Sequence, residues 1–290
     1  KESNKEFVVL DGKEGKKYNK INGVTFSPNS QHFAYIGKES NKEFVVLDGK
    51  EGKKYDGIDE LTLTFSSGSQ HFAYVGREGN KYFIVLDGKE GKKYDLIWGE
   101  PEPKFSPDSQ HFAYAARDFA YATREGSKEF IVLDGKEGKK YYSVNEVTFS
   151  PNSQHFAYVG REGNKIFVVL DGKEGKRYNW VDKVTFTFSP NSQHFAYVGR
   201  EGSKEFVVMD GKEGKKYDGV WRPTFSPDSQ HLAYVVYKYK GNKYFMVLDG
   251  KEGKEYDQIW GPTFTSDSQH IIYFVQKGDE IWKIVKRVGG

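Results

Sequence analysis

The sequence predicts an all-β chain, a seven-bladed β-propeller of four-stranded antiparallel blades. Three observations carry that prediction. Each of the seven histidines lies in the tripeptide SQH, and the separations from His32 through His71, His111, His155, His194 and His231 to His270 are 39, 40, 44, 39, 37 and 39 residues. The phrase DGKEGK also occurs seven times, beginning at Asp11, Asp48, Asp87, Asp134, Asp171, Asp210 and Asp249. Aromatic residues make up 16% of the chain, with 22 Phe and 20 Tyr, and no segment sustains a helical period. A unit of about 40 residues with four strand signals is one blade, and repetition lets neighbouring sheets bury each other's faces.

The elements follow in order within a unit. VTFS is a short apolar strand stopped by Pro and Asn or Asp. HFAYVG is the second strand, ending in polar loops such as REGN. EFVVLD is a nearly continuous apolar third strand, stopped by Asp-Gly, a strong hairpin signal. KKYDGI is expected as the fourth, more polar strand at the outer edge. Units begin near residues 24, 61, 104, 147, 184, 223 and 263 of a single domain spanning 1–290.

The chain starts on third- and fourth-strand sequence, Glu6 to Lys20, and Thr263 to Val275 supply a first and second strand near its end. Residues 1–22 are therefore expected to complete the last blade in a composite closure. One element is left over. In Glu280 to Val288, Trp282 falls in the column of Phe44, Phe83 and Phe206. This segment either displaces the N-terminal strand or adds an outer one.

FSPDSQHFAY, Phe105 to Tyr114, recurs in variant form in every other unit and resembles TolB-like, WD-type β-propeller repeats. Ser-Gln replaces the usual Gly-Lys, and the WD dipeptide is missing. The resemblance implies the fold. It leaves function open, because such propellers serve as binding modules, scaffolds and accessory domains of peptidases.

Composition narrows the partners. Lys+Arg is 44 and Asp+Glu is 41, a net charge of +3, which gives no argument for nucleic acid or a membrane surface. With Cys at 0 there is neither a disulfide framework nor a thiolate metal site. No apolar run approaches the roughly 18 residues of a spanning helix. No signal peptide is found, and the start at Lys1 in mid-repeat leaves removal of a leader open. A monomer without cofactor or metal is expected, and the sequence does not fix its compartment.

Differences between copies locate the expected site. From His to the Asp of LDG the spacing is 16 in most units, 23 in the third, where FAYAARD is followed by FAYATRE, and 18 in the sixth. From the Tyr of KKY to the Gln of SQH it runs 13, 15, 16, 13, 15, 13 and 13. The SPxSQH and DGKEGK turns keep one length, so all variation falls on one face, the upper face. In the connection between blades one column holds Asn22, Asp59, Trp98, Asn145, Asp182, Trp221 and Trp260, with Trp180 and Arg222 beside it. These nine residues are the expected ligand-binding set, for a protein, peptide or glycan.

Three alternatives stand beside this non-enzymatic binding module. One is a multivalent lectin with a site on every blade. Another is a hydrolase or lyase at the channel mouth using Asp59, Glu60, Glu146 or Asp182, although no carboxylate pair is fixed at a defined separation. The last is an amplified or engineered repeat protein without a ligand. The histidines, spaced around a ring, are expected to complete turns rather than to hold a metal. DGKEGK lacks the alternating ligands of a calcium loop and is expected to be a solvated hairpin.

Overall fold

The strand signals of the repeat become antiparallel strands that pair in chain order. The computed structural model describes residues 5–97, 102–118 and 127–289, and it separates into two compact units, Lys1–Val147 and Thr148–Gly290. Unit one opens with a hairpin, Val9–Leu10 and Lys13–Glu14. Sheet 1 follows, built from Lys20–Phe26, Phe33–Glu39, Lys42–Leu47 and Lys50–Glu51. Sheet 2 is centred on Phe72–Glu78 and Lys81–Leu86, and sheet 3 on Phe112–Asp118 and Lys128–Leu133. In sheet 2 the first strand is broken into two short pieces, Gly57–Ile58 and Thr64–Phe65, and in sheet 3 Leu96–Ile97 and Lys104–Phe105 both pair with the second strand. The strand Ser143–Phe149 of sheet 4 holds the border between the units. Unit two carries the rest of sheet 4, then sheet 5 (Trp180–Phe188, Phe195–Glu201, Lys204–Met209, Lys212–Glu213) and sheet 6 (Gly219–Phe225, Leu232–Lys238, Lys243–Leu248, Lys251–Glu252). Sheet 7 has three strands, Gln258–Phe264, His270–Lys277 and Glu280–Arg287.

The fourth strand is shorter than KKYDGI and lies earlier. Asp48 and Gly49 both have positive φ, 50° and 78°, the two-residue turn that suits a twisted hairpin. Pairing therefore resumes at once, Val46 with Glu51 and Leu47 with Lys50. The chain then turns away, and Tyr55 touches the third strand again only through a bridge to Glu43. The residues after it already belong to the next sheet, whose first strand opens at Gly57. Sheets 5 and 6 repeat this, Tyr217 bridging to Glu205 before Gly219 opens sheet 6.

Alternation along the inner strands explains why both faces are apolar. In sheet 1, Tyr35, Phe44 and Val46 pack back onto Tyr18 of the N-terminal hairpin, while Ala34 and Val45 pack forward onto Tyr55, Phe72, Tyr74 and Phe83. In unit two the same forward and backward packing joins sheet 4 to 5, 5 to 6 and 6 to 7. Tyr55 meets Phe83 edge-on at 5.3 Å, the arrangement aromatic quadrupoles favour.

Polar groups stitch consecutive sheets. The carboxylate of Glu90, inside DGKEGK, accepts from Lys53 Nζ at 2.6 Å and from the buried hydroxyl of Tyr55 at 3.0 Å, both on the preceding sheet. Glu51 and Glu252 do the same. DGKEGK is thus an inter-sheet clamp as well as a solvated turn. At the SPxSQH turn, Asn152 N donates to the buried Ser192 Oγ of the following sheet at 3.0 Å, and Asn191 N to Ser229 Oγ likewise.

Glu280–Arg287 pairs with His270–Lys277 along its whole length, Val275 opposite Trp282, and so fills the third-strand place of sheet 7. Of the two places expected for this segment it takes the third-strand one, joined to the second strand by a tight turn through Gly278, φ 61°. Both terminal strands pay in exposure: Phe7 is 37% exposed and Trp282 53%, where the equivalent Phe44 is 0%.

Candidate functional site

The column expected in the connections lies inside the first strand of sheets 1, 4, 5, 6 and 7. Asn22 stands opposite Ile36, Asp182 opposite Val198, Trp221 opposite Val235 and Trp260 opposite Phe274. Immediately after each the register shifts, so the column marks a bulge. Bulges re-aim side chains, and the copies differ at this bulge in both length and residue type.

In unit one, Asn22 precedes Gly23, whose φ of 58° forms the bulge. Asp59 caps a 3₁₀ turn, Glu60–Thr62, and its side chain accepts from Leu61 N at 3.1 Å. Thr62 Oγ1 donates back to Asp59 O at 2.7 Å and accepts from Val75 N at 2.9 Å. Asn145 is exposed, followed by Glu146 at φ 47°. Trp98 lies outside the described residues, as do residues 119–126 of the tandem duplication and the side chain of Arg222.

Unit two brings four of the expected residues onto neighbouring first strands. Asp182 repeats the device of Asp59: its carboxylate accepts from Val184 N at 3.2 Å, and Thr185 Oγ1 donates to Asp182 O at 2.7 Å. Each of these two carboxylates thus shapes its own turn. Trp180 is half-buried opposite Arg200, whose guanidinium lies 4.9 Å from the ring centre, a cation–π contact. Trp221 and Trp260 are 42% and 40% exposed.

The Trp221 ring lies over Gly219, where a Cβ would come within 2.8 Å of it. It packs against Tyr237 and Tyr244, with centroids 6.1 and 5.8 Å away, and those two rings are 4.9 Å apart. An aromatic step therefore crosses three strands. Tyr237 and Tyr244 were missed because they lie in strands that looked like scaffold. The signal was present, since these positions hold Arg200 and Glu205 in sheet 5 and Lys38 and Glu43 in sheet 1.

A carboxylate on the neighbouring third strand holds the column in place. Glu205 Oε2 accepts from Val220 N at 2.9 Å, the residue before Trp221. Glu6, Glu43 and Glu129 do the same for Ile21, Ile58 and Val144.

At the opposite end of sheets 1 to 6 the histidines complete turns. His71 Nδ1 meets Asp87 Oδ2 at 2.7 Å, while Asp87 Oδ1 accepts from Phe72 N at 2.9 Å. The same pair recurs at His32–Asp48, His111–Asp134, His155–Asp171, His194–Asp210 and His231–Asp249. Among the described residues, no group of three or more His, Asp or Glu is arranged to hold a metal ion.

No protein-family model and no curated protein matches the chain. Solved structures do. A eukaryotic initiation factor matches with TM-score 0.51 at 13% identity, covering 96% of this chain and 79% of that one. An oligogalacturonate lyase in complex with manganese matches at 0.40 and 9% identity, over 91% and 87% of the two chains. TolB from Acinetobacter baumannii matches at 0.34 and 15% identity, over 82% and 65%. The likeness to the initiation factor is one of fold alone.

Proposed function

We propose that the sheets are the blades of a seven-bladed β-propeller acting as a non-enzymatic binding module. It takes a protein or peptide ligand on the first-strand bulges of unit two, with Trp221 and Trp260 as anchors. The observation that carries this reading is the part-exposed aromatic step of Trp221, Tyr237 and Tyr244, with Trp260 on the neighbouring first strand. By contrast, aromatics packed between the sheets, such as Tyr55, Phe83 and Phe206, are buried almost completely. Rigid, part-exposed aromatic rings backed by packed neighbours are what an interface hot spot needs. A catalytic reading is disfavoured because Asp59 and Asp182 are engaged in their own turns.

Selection of peptides from a displayed random library on the intact protein tests the proposal. Peptides so isolated should bind Trp221→Ala and Trp260→Ala at least about tenfold more weakly, the order of a hot-spot loss. The melting temperature should barely move. Equal binding by both variants, or loss of fold in both, overturns the reading.

A further inference from the structure

Each unit also contains a cleft between two consecutive sheets, at the SPxSQH end of the sheets. In unit one it lies between sheets 2 and 3 and holds about 510 Å³; Ile84, Leu86 and Phe105 form its apolar wall, and His71, Gln110 and His111 its rim. In unit two the cleft between sheets 5 and 6 holds about 550 Å³, and the same places are taken by Val207, Met209, Phe225, His194, Gln230 and His231. Two independent pairs of sheets thus build one cavity from equivalent residues, of a size that suits small ligands.

We propose that these clefts are saccharide sites, making the chain a multivalent binder independently of the tryptophan surface. The chemistry of the rim selects the ligand class. Each histidine is fixed through Nδ1 to its aspartate, which leaves Nε2 as the outward atom. Among the described residues Nε2 of His71 and His111 and the side-chain amide of Gln110 have no protein partner. In the neutral ring Nδ1 donates to the aspartate and Nε2 accepts, whereas the Gln110 amide both donates and accepts.

The nearby carboxylates already have partners: Asp87 uses both oxygens on His71 and Phe72, and Glu90 uses Oε1 on Lys53 and Tyr55. What remains is an apolar wall facing an edge of hydrogen-bonding ring nitrogens and the Gln110 amide. A pyranose has that pattern, with an apolar C–H face and a rim of hydroxyls. A phosphate or other anion would need converging cations, and Lys89 is the one cation lining the unit-one cleft among the described residues.

The test uses the whole chain and a panel of methyl glycosides of glucose, galactose, fucose and N-acetylglucosamine. Calorimetry reads stoichiometry, and ¹H–¹³C spectra report the imidazoles of His71, His111, His194 and His231. At least one glycoside should bind at two or more equivalent sites and shift these resonances. Leu86→Trp and Met209→Trp each fill one cleft and should each remove one site, while Gln110→Ala should weaken the unit-one site with the fold retained. Trp221→Ala should leave glycoside binding unchanged, which keeps this test separate from that of the peptide surface. Absence of binding by every glycoside, binding that survives both tryptophan substitutions, or saturation of the clefts by N-acetylphenylalanine amide in preference to glycosides overturns the proposal.

Discussion

Replacing Glu205 with leucine removes the acceptor of a buried amide. Val220 is 2% exposed, and its N–H donates to Glu205 Oε2 at 2.9 Å, so leucine leaves that donor without a partner or access to water. An orphaned buried donor costs about 1–3 kcal/mol. For a cooperative unit of this size, each kcal/mol lowers the melting temperature by about 2–4 °C, so the expected loss is roughly 2–12 °C. Glu205→Gln keeps an acceptor oxygen at the same reach and should lose less than about half as much. Urea unfolding followed by tryptophan fluorescence measures both variants. Because Trp221 is the next residue, the leucine variant should also shift the folded-state emission. A leucine variant within about 0.5 kcal/mol of the parent, or a glutamine variant equally damaged, refutes the assignment of this carboxylate as the strand's anchor.

Other expectations follow from the same contacts. Ser192→Ala removes the acceptor of Asn152 N in a site only 3% exposed, and should destabilise unit two by about 1–3 kcal/mol in urea unfolding. Asp171 sits at φ 49° and accepts from Phe156 N, so Asp171→Ala should lose about 2 kcal/mol while Asp171→Asn loses clearly less, because asparagine tolerates that backbone region. Burial pushes the hydroxyls of Tyr74, Tyr197 and Tyr273 up to about 12. Their folded pKa is raised, so the stabilisation is intact below pH 10 and is lost between about pH 10 and 12, which tyrosinate absorbance recorded alongside circular dichroism will show. The bond from Lys53 holds the Glu90 carboxyl below its ordinary range, so its contribution is present at neutral pH and fades as pH falls below the usual carboxylate value. Glu90→Gln should flatten that acid limb in an acid titration of stability.

Much of the architecture was legible because the repeat states its packing problem seven times. The spacing of SQH and DGKEGK marked the units, and Asp-Gly marked the hairpin that Asp48 and Gly49 form. The histidines as turn-completing residues were legible too, from their recurrence at one place in every unit. The fourth strand was misplaced because KKYDGI looks extended on either side of Tyr55, and only pairing assigns Gly57 to the following sheet. That slip put Asn22, Asp182, Trp221 and Trp260 in a connection, when they stand at a bulge within a strand.

By itself, the sequence determined the local chemistry: the alternation that fills both faces of the inner strands, the positive-φ turns, and the column where copies stop agreeing. Tertiary structure decided what no periodicity encodes, namely which residues meet across strands and sheets. Trp221 meets Tyr237 and Tyr244 only because three strands pair in one register, and Glu90 meets Lys53 and Tyr55 only because consecutive sheets pack. The clefts between sheets follow the same logic. Their walls come from residues 15 to 40 positions apart, such as His71, Leu86 and His111, which a linear pattern shows as unrelated scaffold.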